Sequence, residues 1–121
     1  MDRNDIIKQL SQFFKVEELV CDHIYARWGE ASWQFLDTMF LHCLLLLRRD
    51  IIARPMKCNN HKLKIHQRGV RCNMCEIVRS KGRAYMSAHV LGKAGDFSIE
   101  GMTAEAARQR IKLLPAAFPC Q

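Results

Sequence analysis

The stretch of the sequence richest in reactive side chains is Ser87-Ala-His89-Val-Leu-Gly92-Lys-Ala94-Gly-Asp96. An imidazole and a carboxylate so spaced, with glycine between them to bend the backbone, can approach one cation. One His and one Asp recur by chance in most domains, so spacing alone is a weak signal. A second grouping is Cys58-Asn-Asn-His61 followed by Cys72-Asn-Met-Cys75, the paired short spacings of a three-Cys, one-His structural zinc site. Against that site, His66 competes with His61, the second pair falls in a segment that reads as helical, and the usual glycines after each pair are missing. Cys58, Cys72 and Cys75 are therefore expected to be metal-free structural thiols. His42 stands alone on a strongly apolar helical pattern, where a histidine is a core residue far more often than a ligand.

The first stretch carries more information when the whole chain is considered. Ser87, His89, Gly92, Ala94 and Asp96 fill every fixed position of S-x-H-x-x-G-x-A-x-D. That pattern resembles the signature of the zinc D-alanyl-D-alanine peptidases, which share the hedgehog/DD-peptidase fold. Phe14-Lys-Val-Glu17-Glu18-Leu19 is similar to the family's F-x-x-x-E-L segment. Asn59-Asn60 with Gln67-Arg-Gly69-Val-Arg71-Cys72-Asn73 resembles its N-N-W and S-G-x-R region. Gly101-Met-Thr103-Ala-Glu105 resembles the turn and helix after the signature, especially in the phage-like and gut-bacterial branch.

The resemblance implies that His89 and Asp96 are two of three ligands to a catalytic Zn2+. It also implies that Arg71 polarises the scissile carbonyl or steadies the oxyanion, and that Ser87 supports substrate. Each role has a physical basis. Zinc with three protein ligands keeps a position for water and lowers its pKa, while a permanently charged, forked guanidinium suits a developing oxyanion or a substrate carboxylate. The chain departs from the pattern in two places. His61 stands where the family has Trp, which alters part of the substrate wall. The family's catalytic Glu and third ligand, a late-strand His, follow the helix after the signature, and Gln121 is reached before either. Glu100 and Glu105 lie in the wrong context to replace them. The expectation is a single peptidase-like domain over residues 1–121, lacking its C-terminal end and inactive alone.

These residues need elements to position them. Apolar residues at Ile7, Leu10 and Phe14, then Val16, Leu19 and Val20, fit two short helical pieces joined near Phe13-Phe14-Lys15. Leu36, Met39, Phe40, Cys43, Leu44, Leu47 and Ile51 repeat at three and four, giving a core helix with Ser32 as its expected N-cap and Arg54-Pro55 as its stop. Loops around a short helix at Cys75 to Arg79 follow, then a buried strand around Ala94 to Ile99. A last helix, Ala104 to Leu114, is capped by Thr103. The expected class is α+β, hedgehog/DD-peptidase-like, with helices packed against a small antiparallel sheet.

At 121 residues, 49% hydrophobic and 26% charged, the chain has the composition of one globular domain, neither disordered nor collagen-like. The apolar run Met39 to Leu47 is too short to cross a bilayer, which takes roughly 20 residues. The polar Met1-Asp2-Arg3-Asn4-Asp5 start does not read as a secretory signal, so a cytoplasmic chain with six reduced thiols is expected, reaching cell wall only by release or another route. A net charge of +7 favours a polyanionic partner. Three functional readings result. The first is a zinc D,D-peptidase-like domain acting on peptidoglycan stem peptides. The second is a non-catalytic truncated module that binds cell wall or a protein through its basic face. A nucleic-acid zinc module is the third, and it is disfavoured because Lys57 to Arg83 contains no aromatic residue for base stacking.

Overall fold

The structure is a computed structural model that describes residues 2–59, 68–72, 75–81 and 88–113. Helix α1 (Arg3–Leu10) starts at Asp2, whose carboxylate accepts a hydrogen bond from the Asp5 N–H at 2.9 Å and so satisfies one of the free donors of the first turn. Ile6 and Leu10 stand one turn apart on its inner face, and both are buried. Their counterpart is α3 (Thr38–Leu46), which buries Leu41, Leu44 and Leu45. Arg3 fastens the two helices from the rim, donating to the Trp33 carbonyl at 2.7 Å and to the Thr38 hydroxyl at 2.8 Å.

Between them lie a 3₁₀ turn at Val16–Glu18, helix α2 (Asp22–Trp28) and a 3₁₀ stretch at Gly29–Phe35. Val16 from the first of these, with Leu19 and Val20 just after it, joins the same core as Phe14, whose ring meets Phe97 edge-on at 6.1 Å. The two short helical pieces of the N-terminal segment thus lie where the apolar spacing places them.

The core helix begins later than its sequence pattern indicates. Asp37, not Ser32, is its N-cap, with a carboxylate that accepts from the Phe40 N–H at 3.1 Å. Ser32 sits inside the 3₁₀ stretch, fully buried, and its hydroxyl has no partner among the described residues. The pattern continued upstream because Trp33 and Leu36 are also buried, although they are carried on non-α backbone. At its far end α3 widens into a π turn, Leu47–Ile51, closed by the Ile52 N–H on the Leu47 carbonyl at 2.8 Å. Ala53, with φ of +54°, then turns the chain away ahead of Pro55.

The sheet has two short antiparallel strands, β1 (Met56–Lys57) and β2 (Ser98–Ile99), with Met56 opposite Ile99 and Lys57 opposite Ser98. The coarse α+β class is therefore present, but the strand expected over Ala94 to Ile99 is confined to its last two residues, and these are not buried. Helix α4 (Glu76–Arg79) occupies the short helical segment expected there. Helix α5 (Ala104–Leu113) is capped by Thr103, which accepts from the Ala106 N–H at 3.1 Å, and it packs Ala107 against Ile51 and Ile52. Among the described residues, no helix is long and apolar enough to cross a membrane.

Candidate metal centres and a neighbouring cleft

A hub of backbone pairing brings distant residues together. Val20 and Val70 form an isolated parallel bridge: the Cys21 N–H donates to the Val70 carbonyl at 2.8 Å, and the Val70 N–H donates to the Leu19 carbonyl at 2.9 Å. Asn59, itself buried, reinforces it. Its amide donates to the Val20 carbonyl at 2.9 Å, and its side-chain oxygen accepts from the Arg68 N–H at 3.0 Å. Gly69 allows the close approach, because a Cβ there would collide with the Leu19 carbonyl and lie 3.2 Å from the Cys58 sulfur.

From this hub the Arg68 carbonyl accepts from the Asp96 N–H at 2.7 Å, and the Gly69 carbonyl faces His89 Nδ1 at 3.0 Å. A carbonyl can only accept, so Nδ1 carries the proton and the Nε2 lone pair is left outward. Nε2 stands 3.5 Å from Asp96 Oδ2, with His89 16% and Asp96 66% exposed at the side chain. His89 and Asp96 are thus brought together. An oriented imidazole whose second nitrogen rests on a backbone carbonyl is the usual arrangement of a metal-ligating histidine. Gly92 shapes the connecting turn, with φ of +72° and no room for a Cβ beside the Phe35 carbonyl. Its own carbonyl accepts from the Asp37 N–H at 2.9 Å, which ties the turn to the start of α3. Among the described residues, no third potential ligand joins His89 and Asp96.

Arg71 lies beside this pair by main chain, its N–H donating to the His89 carbonyl at 3.2 Å. It also lines a cleft of about 550 Å³ together with Arg27, Trp28, Phe35, Val90 and Leu91. The cleft combines an aromatic wall, in which Trp28 meets Phe35 edge-on at 5.5 Å, with two guanidinium-bearing residues. Such a cavity suits a short peptide with an anionic end. Ser87 and His61 lie outside the described residues.

The second grouping is rearranged. Cys58 does not join Cys72 and Cys75: it is fully buried in the main core, where burial pushes its thiol up to about 12. The partners of Cys72 and Cys75 are Cys21, which caps α2, and His23 in that helix's first turn. One potential ligand atom from each of the four lies within 4.8 Å of all the others, a set able to hold a metal ion. His23 Nδ1 is 3.5 Å from the Cys72 sulfur and 3.7 Å from that of Cys75, and the two sulfurs are 3.9 Å apart. Burial raises the Cys21 and Cys75 thiols above their ordinary range. The expectation of six thiols needs one correction, since Cys43 is disulfide-bonded, whereas Cys21, Cys58, Cys72 and Cys75 are free. The signal missed in the sequence was Cys21-Asp-His23, a C-x-H pair whose closeness to Cys72 is created only by the Val20–Val70 bridge.

Comparison of the chain with protein-family models, with curated proteins and with solved structures found no significant match.

Proposed function

We propose that the chain is a zinc D,D-peptidase-like domain of the hedgehog/DD-peptidase type, which binds the D-Ala-terminated stem peptide of peptidoglycan. The observation that supports this most is the His89–Asp96 pair, with nitrogen and oxygen 3.5 Å apart and open to solvent on the Asp96 side; Arg71, which lines the cleft together with His23 and Cys72, is joined to His89 through its main chain. Two ligands on one small cation at about 2.0–2.2 Å each stand roughly 3.4 Å apart in tetrahedral geometry, so the pair fits a zinc half-site. Bound there, zinc would supply a Lewis acid and a water of lowered pKa.

The chain's own residues do the rest. Gly69 fixes the His89 tautomer so that Nε2 faces outward as a lone-pair donor. Asp96 adds the negative charge that favours a cation at this point. Arg71, tethered to His89, offers a charge for a peptide carboxylate or the developing oxyanion, and Trp28 and Phe35 form an apolar wall for the neighbouring part of the peptide. Hydrolysis belongs to a site completed by a third ligand and a carboxylate that accepts the proton of water. His89 and Asp96, the two ligands that meet among the described residues, equip the chain to bind the peptide through the metal.

The test is titration of a D-Ala-D-Ala-terminated peptide into the chain with zinc present, followed by NMR and by product analysis. Zinc-dependent shifts at His89, Asp96 and Arg71 without turnover are expected. No binding, or binding indifferent to Asp96→Asn and Arg71→Ala, would sink the proposal. The net charge of +7 favours a second reading, a basic module that holds cell wall or a protein without metal. That reading requires salt-sensitive binding of polymeric peptidoglycan that zinc does not alter.

A further inference from the structure

We infer that Cys21, His23, Cys72 and Cys75 form a closed structural zinc site, separate from the His89–Asp96 pair, that clips the start of α2 to the turn following Arg71. Tetrahedral zinc with Zn–S of about 2.3 Å and Zn–N of about 2.0–2.1 Å sets sulfurs roughly 3.8 Å apart and sulfur and nitrogen roughly 3.6 Å apart. The observed separations are 3.9 Å between the Cys72 and Cys75 sulfurs, and 3.5 and 3.7 Å from these to His23 Nδ1. Cys21 completes the set, with all four ligand atoms within 4.8 Å of one another.

Packing alone does not account for this convergence. A ring nitrogen has one in-plane position, either a proton or a lone pair, so His23 Nδ1 cannot make a full hydrogen bond to both sulfurs. One cation at the centre satisfies both contacts together. A redox dithiol needs two cysteines and neither a third thiol nor an imidazole. The 3.9 Å sulfur separation is also far from the roughly 2.0 Å of a disulfide. The ligands come as two short pairs, Cys21-x-His23 at the start of α2 and Cys72-x-x-Cys75 in a turn closed by the Cys75 N–H on the Cys72 carbonyl at 3.2 Å. Three thiols with one imidazole select zinc over calcium or magnesium, which take oxygen ligands. With four protein ligands no coordination position is left for water, so the role is structural. Arg71 immediately precedes a ligand and bonds to His89 through its N–H, so the clip holds one wall of the cleft.

The experiment uses the full 121-residue chain carrying Asp96→Asn, an exposed substitution that disables the other pair. It is purified reduced with zinc present, passed over chelating resin and analysed for metal. The expected result is a single zinc ion per chain, released by a mercurial that titrates thiols and absent after Cys72→Ser. Metal-free folded protein, or zinc unaffected by Cys72→Ser, overturns the inference. Because Cys72→Ser can fail to fold, cobalt is loaded into the parent chain as a second measurement. Sulfur-to-cobalt charge transfer with intense tetrahedral d–d bands is expected, and a weak octahedral spectrum overturns the site independently of any variant.

Discussion

His89 donates its Nδ1–H to the carbonyl of Gly69, twenty residues earlier, at 3.0 Å, and this one bond sets which ring nitrogen looks outward. Long-range nitrogen–proton NMR of the metal-free chain should therefore find neutral His89 protonated at Nδ1, the reverse of the tautomer favoured by free histidine. An Nε2–H signal would mean that the Gly69 bond does not form in solution.

Gly92→Ala tests the turn that sets His89 against Asp96. A Cβ at this position meets the Phe35 carbonyl, and φ of +72° is itself unfavourable for alanine. The loss should be about 2 kcal/mol or more, measured by urea denaturation. A change within about 0.5 kcal/mol, the range of ordinary surface substitutions, would show that the turn relaxes freely.

Asn59→Ala removes both partners of the hub at once. The Val20 carbonyl and the Arg68 N–H lose their hydrogen bonds in or near the core, at about 1–3 kcal/mol for each group left unsatisfied. Amide exchange should accelerate at Arg68 and Val70 more than in α1. Uniform acceleration across the molecule would place Asn59 in the global core rather than in the hub.

Cys58 supplies a pH dependence whose sign follows from burial. Its folded pKa is raised from 9.0 to about 12, so the folded chain holds a proton that the unfolded chain releases above pH 9. The stability conferred by the neutral thiol is complete below pH 9 and declines by about 1.4 kcal/mol per pH unit from there toward 12. Cys58→Ala should flatten that decline while lowering stability at pH 7, because it leaves a small cavity. An equally steep alkaline slope in the variant would assign it to another group.

The spacing of apolar residues was enough to locate α1 and the N-terminal 3₁₀ turn, which bury sequence neighbours such as Ile6 and Leu10, whereas α5 was legible from its cap, Thr103. It misjudged the start of α3, because Trp33 and Leu36 are buried on backbone that is not α-helical, and burial rather than backbone type sets the pattern. The His89–Asp96 pair was suggested by the ten-residue pattern that contains it and not by spacing alone, although only six residues, the required Gly92 among them, lie between the two side chains. The four-residue Cys/His grouping was only half legible. Cys72 and Cys75 announce themselves by spacing, but whether they meet Cys58 or Cys21 depends on a bridge between Val20 and Val70 that no local pattern encodes.

That bridge imposes an order on biosynthesis. Cys21 and His23 leave the ribosome about fifty residues ahead of Cys72 and Cys75, which at about 5–20 residues per second is roughly 3–10 s. Throughout that interval the first pair has no register to hold it, and closing so long a loop carries an entropic cost that grows with the logarithm of its length. The helical scaffold of α1 and α3 is made of contacts that become available earlier, so the Arg71 cleft is assembled late, onto a partly formed core. Nascent chains stalled before residue 70 should then protect the α1–α3 amides while Cys21 stays open to thiol reagents, and release of the stall should close that window.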